Sequence, residues 1–462
     1  MATTVLEEIV QQRRKRLAES AFQIPECQPS ERSMFDSIKQ SDTGIIFECK
    51  AKSPSRGVLS DNYQPALIAT NYAQFASGIS ILTEPDYFAG SYEHLESVRA
   101  AVDTPLLCKD FVVYEQQIYL ARSKGADCIL LMLSVISDAF WKTSQQLADE
   151  LGLDTITEVH NHQELQRAIQ LGAKIIGINN RDLHSLTTNL DVTRELAPLV
   201  PKDRLLISES GIGSYQDLRS LAPLVDGFLI GTSMMQSASL EQALRRLIYS
   251  EVKVCGLTNA EDAKLAYDCG ASWGGLIFTE QSPRFVQAAE IKSWVSELRM
   301  PMVGVFMDQT IEQVCSTAEQ LSLAAIQLHG IESPEYVSEL KICLADGIQI
   351  WKAISASDTD DNYPSAGQLE TLVEEWKSVG VNKVLVDKPK QGSGHDLDLN
   401  HVAGMKDVML AGGLDADSDL VLSEQRLAGI DICSALEQSK GIKDPQKVVH
   451  FFNTIRVKTR HE

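Results

Sequence analysis

Strand-length apolar runs, spaced by longer amphipathic stretches and arranged as two successive sets of eight, constrain this chain more than any other feature. The first set begins at Gly44-Ile45-Ile46-Phe47 and continues through residues 79–82, 105–108, 128–132, 155–157, 175–178, 205–207 and 228–230. The second begins at Val252-Lys253-Val254 and continues through 275–278, 303–306, 325–328, 350–354, 384–386, 408–411 and 429–432. Each run is rich in Ile, Leu or Val, while intervening segments such as His162 to Leu171 carry apolar residues at helical spacing. Near-continuous apolar runs are buried on both faces, and strand–helix alternation then means a parallel sheet covered by helices. Eight such units close into a barrel of roughly 200–250 residues. The 462 residues therefore suit an α/β chain of two tandem (β/α)8 TIM barrels.

The boundary is expected near Tyr249-Ser250, giving domains 1–249 and 250–462, because the strand at Val252 follows directly on a helical segment from Leu240 to Ile248. An open doubly wound sheet is the competing architecture. Gly211-Ile212-Gly213 resembles the start of a dinucleotide fingerprint, but Gln216 stands where the third glycine belongs, and no acidic residue ends the next strand at the usual interval.

With 44% hydrophobic and 23% charged residues the chain is expected to fold into packed cores. A formal net charge of -21 argues against nucleic-acid binding, which needs phosphate neutralisation by Lys and Arg, but not against a local pocket for a small phosphate ester. The nine cysteines stand singly, as in a reducing compartment. Acidic Glu7 and Glu8 interrupt the N-terminus before a signal-peptide run forms, and no apolar stretch has membrane-span length. A cytoplasmic protein is expected, with small phosphorylated substrates as partners, no membrane or nucleic-acid partner, and the ability to act as a monomer. Arg13-Arg14-Lys15-Arg16 follows Leu6, Ile9 and Val10 at helical spacing and reads as a solvated helix face.

Polar residues at the C-terminal ends of barrel strands face the active site. In the first half these are Glu48 and Lys50 (two apart, hence on one face), Lys109, Glu158, Asn179 and Glu209. Lysines and carboxylates converging on one mouth are costly to bury without mutual pairing or a charged substrate. Glu48 and Glu209 are read either as rim ion pairs or as site residues, whereas Lys109 with Glu158 is read as catalytic. Ser208-Glu209-Ser210-Gly211-Ile212 and Gly231-Thr232-Ser233 follow the seventh and eighth runs, where barrels often bind phosphate.

Glu48-Cys49-Lys50 with Ser53-Pro54-Ser55-Arg56-Gly57, Leu107-Cys108-Lys109-Asp110-Phe111, Glu158-Val159-His160, Gly177-Ile178-Asn179-Asn180-Arg181-Asp182-Leu183 and the Ser208 turn resemble indole-3-glycerol phosphate synthase through about Ile248. The resemblance implies ring closure of 1-(2-carboxyphenylamino)-1-deoxyribulose 5-phosphate with loss of CO2 and water. It implies Lys109 as general acid, Glu158 as general base, and Lys50 as partner of the substrate carboxylate and a candidate for assisting the dehydration. Glu48, Asn179 and Glu209 would orient these groups. Ser53, Gly211, Gly231 and Thr232 would hold the phosphate, with Phe111, Arg181 and Ser210 also among the binding residues. Neighbouring cations are expected to lower Lys109 toward neutrality. His160 and His162 form an H-x-H pair, but no carboxylate or cysteine cluster completes a metal-ligand set.

In the second half Cys255 stands at a strand end before Gly256-Leu257-Thr258-Asn259, and Asp387 ends the sixth run across the mouth. A thiolate and a carboxylic acid facing one site can move protons in opposite directions. Lys253-Val254-Cys255-Gly256, Ser282-Pro283-Arg284, Gln327-Leu328-His329-Gly330, Asp387, Gly392-Ser393-Gly394 and Ala411-Gly412-Gly413-Leu414 resemble phosphoribosylanthranilate isomerase from Val252 onward. The resemblance implies an Amadori rearrangement with Cys255 as general base and Asp387 as general acid. It places Arg284 at the anthranilate or sugar end, and Gly392, Gly394, Gly412, Gly413 and Ser434 around the phosphate. Ser434-Ala435 and Gln391-Gly392-Ser393-Gly394 depart from the family's Ser-Gly and Gly-Gly-Thr-Gly. His329 reads as a satisfied rim histidine rather than a catalytic one. No cofactor or metal is implied. The isomerase product is the synthase substrate, so both activities in one chain make sequential sense. The alternatives are a Schiff base on Lys109, giving an aldolase-like cleavage, and a second barrel that only binds.

Overall fold

The computed structural model describes residues 4–19, 24–54, 57–59, 62–182, 185–235, 239–354, 366–387, 405, 408–412, 414 and 429–460. The chain divides into two compact units, 1–244 with 457–462, and 245–456. Each contains a closed barrel of eight parallel strands.

The strands of the first barrel are β1 (Gly44–Cys49), β2 (Gly78–Leu82), β3 (Leu106–Lys109), β4 (Cys128–Met132), β5 (Asp154–Val159), β6 (Ile175–Asn179), β7 (Leu205–Glu209) and β8 (Gly227–Ile230). β1 pairs with both β2 and β8, which closes the barrel. Ile46, Leu107, Leu130, Ile156, Ile207 and Leu229 fill the interior in one buried cluster. The helix Met34–Lys39 plugs the N-terminal end, started by the Ser33 side chain accepting from the Asp36 N–H. A Cβ on Gly78 would overlap the end of the Met34 side chain, so glycine at the first residue of β2 lets Met34 of the plug seat as it does. The helix His162–Leu171 shows how the outer layer is made. Asn161 caps its start, Leu165 and Ala168 form its buried face, and Gly172 in the left-handed region (φ 84°) ends it. At the same end as the plug, Val457 is buried and Arg460 pairs with Asp226 at 2.9 Å.

The second barrel runs β9 (Val252–Val254), β10 (Trp273–Ile277), β11 (Met302–Phe306), β12 (Ala325–Leu328), β13 (Gln349–Ile354), β14 (Lys383–Asp387), β15 (Val408–Ala411) and β16 (Gly429–Ile432), closing through β9 and β16. Its core is anchored by Trp273 and Trp351, edge to face with ring centroids 5.0 Å apart. Each indole N–H needs an acceptor when buried, and Glu251 and Gln349 supply them at 2.6 and 2.9 Å. The helix Pro445–Ile455 starts on Asp444, whose carboxylate accepts from the Gln446 and Lys447 N–H groups, and buries Val448, Phe451, Phe452 and Ile455. Among the described residues no helix is long and apolar enough to cross a membrane.

Two tandem barrels are thus the observed architecture, and the strands fall within a residue or two of the sixteen apolar runs. The basic cluster differs from expectation in one residue. Arg14, Lys15 and Arg16 are exposed, but Arg13 is buried against Asp110. The helical period puts Arg13 on the same face as Leu6 and Ile9, so its charge needs a buried partner.

Candidate active sites

A cavity of about 360 Å³ opens at the C-terminal mouth of the first barrel. Glu48, Lys50, Ser53, Lys109, Phe111, Glu158, Asn179, Arg181, Glu209, Ser210, Gly211, Gly231 and Thr232 all line it. They converge because each ends a barrel strand or opens the turn after it. Two glycines make room for the carboxylates. A Cβ on Gly231 would lie 2.6 Å from Glu48 Oε1, and one on Gly177 would overlap Glu209.

Lys109 is the centre of the charge arrangement. Its Nζ donates to Glu209 Oε2 at 2.7 Å and to Glu158 Oε2 at 3.3 Å. Lys50 pairs separately with Glu48. Burial alone would favour a neutral Lys109 amine, but Glu209, Glu158 and Glu48 outweigh it and hold the ammonium well above the usual lysine range. The expectation of a lysine lowered by neighbouring cations is therefore corrected: its neighbours are carboxylates. A Schiff base requires a free amine, which this setting opposes. The two carboxylates on Lys109 are pushed apart. Burial opposes ionisation of Glu158, but Lys109 and His160 override it and keep its carboxyl well below the usual range. Burial drives Glu209 up to about 7, with ionised Glu158 adding to the push and Lys109 opposing it.

The turn after β7 is shaped by its backbone. Ser210 and Gly211 both take positive φ, 67° and 83°. Successive left-handed residues are tolerated at glycine but strained at serine, so something must hold Ser210. Asn180 does this, its Nδ2 contacting Ser208 Oγ and the carbonyls of Glu209 and Ser210, each at 3.0 Å. Ser53 Oγ is buried and has no hydrogen-bond partner among the described residues. Val5, Leu6 and Ile9 of the N-terminal helix Val5–Glu19 form part of the cavity wall.

The second barrel has its own mouth cavity, of about 290 Å³, lined by Cys255, His329, Asp387, Gly412, Cys433 and Ser434 among others. Cys255 Sγ lies 3.2 Å from Lys253 Nζ, and the ammonium is held in turn by Asp431 at 2.8 Å. A side chain on Gly275 would meet both Cys255 Sγ and Lys253 Cε, at 2.8 and 2.9 Å. A hydrogen bond from Cys433 lowers the Cys255 thiol to about 7, with Lys253 helping and burial opposing. Across the mouth, burial raises Asp387 above the usual carboxylate range, and His329 stands 3.7 Å away.

Two family models match the chain: indole-3-glycerol phosphate synthase over residues 3–247 and N-(5'-phosphoribosyl)anthranilate isomerase over 252–454. The tryptophan biosynthesis protein TrpCF of Yersinia pestis is 43% identical, covering 98% of this chain and 94% of its own. That of Salmonella typhi is 42% identical, covering 97% and 96%. The chain belongs to the bifunctional synthase–isomerase family of tryptophan biosynthesis.

The synthase is the N-terminal barrel and the isomerase the C-terminal one. Among solved structures, phosphoribosyl anthranilate isomerase from Thermotoga maritima is 27% identical with a TM-score of 0.38, covering 44% of this chain and 98% of its own. In the synthase barrel one cavity brings together every residue given a catalytic or binding role from the sequence. In the isomerase barrel Cys255, Asp387, Gly412 and Ser434 share a cavity. Arg284 is not among its lining residues, and its guanidinium grips Glu437 through two bonds of 2.7 Å. Gly392, Gly394 and Gly413 lie outside the described residues.

Sequence reasoning gave no role to several residues that shape these sites. His160 stands 3.2 Å from Glu158 and 3.1 Å from Glu164, and these carboxylates override its burial to push it up to about 10. It is an ion-pair partner of both carboxylates. Lys253 could have been found by the same alternation that joined Glu48 to Lys50, since it precedes Cys255 by two. Lys443 is fully buried, donating to the Cys255 carbonyl at 2.7 Å. No local pattern announces that contact.

Proposed function

We propose that the chain carries out its two reactions at the two barrel mouths, with residues 1–249 forming the synthase and 250–462 the isomerase. In the isomerase, Asp387 protonates the furanose ring oxygen of N-(5-phosphoribosyl)anthranilate, and ring opening leaves an iminium. Cys255, as thiolate, takes the C2′ proton, and the resulting enolamine becomes the aminoketone 1-(2-carboxyphenylamino)-1-deoxyribulose 5-phosphate. A thiol lowered to about 7 and a carboxyl raised by burial suit those opposite duties. Gly412 and Ser434, with Gly392, Gly394 and Gly413, hold the phosphate, and Arg284 exchanges Glu437 for the anthranilate or sugar end.

In the synthase, Lys109 gives its proton to the substrate oxygen as the ring closes, and Glu158 serves as general base. Lys50 pairs with the carboxylate that leaves as CO2 and assists dehydration. Glu48, Asn179 and Glu209 orient these groups. Ser53, Ser210, Gly211, Gly231 and Thr232 bind phosphate, and Phe111 and Arg181 are further substrate-binding residues. The observation that carries this reading is the Lys109 ammonium held between Glu209 and Glu158 at the head of a phosphate-type turn. No cofactor takes part in either step. The chain acts as a cytoplasmic monomer with small phosphorylated substrates and no nucleic-acid partner.

The test is a coupled fluorescence assay on the purified chain supplied with phosphoribosylanthranilate. Substrate consumption with appearance of indole-3-glycerol phosphate is expected. Accumulation of the aminoketone would remove the first barrel's assignment, and no consumption would remove the roles given to Cys255 and Asp387. Sedimentation would test the monomer.

A further inference from the structure

A row of polar side chains crosses the isomerase mouth from Cys255 to Asp387, hydrogen-bonded up to His329 and ending on a wider approach to Asp387. Lys253 Nζ, 3.2 Å from Cys255 Sγ, donates to Gln327 Oε1 at 2.7 Å. Gln327 Nε2 lies 3.4 Å from His329 Nδ1, and His329 Nε2 lies 3.7 Å from Asp387 Oδ2. Lys253 and Gln327 are buried, at 0% and 1% exposure, so neither can exchange these partners for solvent. Gln327 lies on β12 and His329 just beyond its end, two residues on and therefore on the same face.

The direction of every donor in this run follows from its first member. An ammonium has only donors, so the oxygen of the Gln327 amide must face Lys253 and its NH2 must face His329. An NH2 cannot accept, so Nδ1 of a neutral His329 is the acceptor and its proton sits on Nε2, the nitrogen turned toward Asp387. The ring is kept neutral by its surroundings. The charged groups acting on it are Asp387, Asp431, Lys253 and Lys352, and burial with the two lysines lowers its basicity despite the carboxylates.

We propose that Gln327 and His329 are positioning residues of the isomerase: Gln327 holds His329 as the Nε2–H tautomer, and that N–H receives the carboxylate left when Asp387 gives up its proton. This rests on the assignment of Asp387 as acid and Cys255 as base. The proton moves from the Asp387 carboxyl to the ring oxygen as the sugar C1′–O bond breaks and the nitrogen lone pair forms the iminium. The His329 proton stays on Nε2 throughout. At 3.7 Å the pair is beyond hydrogen-bond range in the resting site, and charge developing on Asp387 draws it closed. The other tautomer would aim a lone pair at a forming carboxylate and weaken the acid when it must act.

Gln327→Glu tests this directly. A glutamate accepts from Lys253 as before but also accepts from His329, which moves the ring proton to Nδ1. Isomerase kcat is expected to fall at least about tenfold with KM within about twofold, while synthase turnover by the same chain is unchanged. His329→Gln, which keeps an N–H donor, should recover part of the rate that His329→Leu loses. Long-range proton–nitrogen spectra of the histidine-labelled native chain need no variant, and should show His329 protonated at Nε2, its signals identified by their loss in His329→Gln. A native Nδ1–H tautomer, or a native kcat in Gln327→Glu, would overturn the proposal. If Cys255→Ala and Asp387→Asn are inactive while Gln327→Glu turns over normally, the positioning role alone fails. If those two variants stay active, the assignment beneath it fails instead.

Discussion

Lys109 and Glu209 end strands on opposite sides of the synthase barrel, yet Nζ and Oε2 meet at 2.7 Å over its axis. Because burial lifts Glu209 to about 7, this contact changes character near neutrality. Above that pH, Glu209 is ionised and fixes the Lys109 ammonium as a charge-assisted partner; below it, Glu209 takes a proton and the pairing weakens. Synthase kcat/KM is therefore expected to rise as pH increases through about 7. In Glu209→Gln that limb should be absent, with lower activity throughout. An unmoved limb in the variant would assign the titration to another group.

The two activities should come apart by single substitutions, because the acid–base groups of each reaction lie in separate cavities. Lys109→Ala should lower synthase kcat by about 10²–10⁴-fold and leave the isomerase intact. Cys255→Ala should do the reverse. Separate assays with each barrel's own substrate decide this. Loss of both activities in either variant would contradict the two-site arrangement.

How much of this could be read from the residues depended on the range of the physics involved. Strand alternation is local, so Glu48 with Lys50, and the polar ends of β3, β5, β6 and β7, could be placed at one mouth before any coordinates. The sign of the shift on Lys109 could not, because it depends on carboxylates 49 and 100 residues away folding to within 3.3 Å. Arg13 failed for the same reason. Its helical register was visible, but its partner Asp110 is 97 residues distant. Cys433 carries no signal of its own, and matters only because β9 and β16 are neighbours that bring it against Cys255.

The Cys433 contact predicts how reactive Cys255 is. Its hydrogen bond is the leading reason the Cys255 thiol falls to about 7 from an ordinary value of 9.0. Alkylation of Cys255 by iodoacetamide, followed by peptide mass spectrometry, should show a midpoint near pH 7. Cys433→Ala should move the midpoint upward, toward 9.0, and shift the rising limb of isomerase kcat/KM in the same direction. Cys433→Ser keeps a donor and should move it less. An identical midpoint in all three chains would show that Lys253 alone sets the thiolate.

Arg13 binds the helix Val5–Glu19 to the synthase mouth, its Nε donating to Asp110 Oδ1 at 2.9 Å while Tyr92 donates to Asp110 Oδ2 at 2.8 Å. Both partners of the ion pair are nearly inaccessible, with side-chain exposures of 4% and 0%. Removing one member of such a pair strands the other charge and typically costs about 3–5 kcal/mol, whereas removing both costs far less. Arg13→Met should therefore make synthase activity sensitive to lower urea concentrations, with isomerase activity in the same tube as the internal control. Adding Asp110→Asn should restore part of the loss, because the amide oxygen can still accept from the Phe111 N–H, which now bonds Oδ1 at 2.8 Å, while its NH2 can donate to the Tyr92 hydroxyl. Val5, Leu6 and Ile9 on the same helix wall the cavity, so a loosened helix should also raise the synthase KM more than it lowers kcat. Equal urea sensitivity in the single variant and the native chain would mean that the apolar face of the helix, not this ion pair, holds it in place.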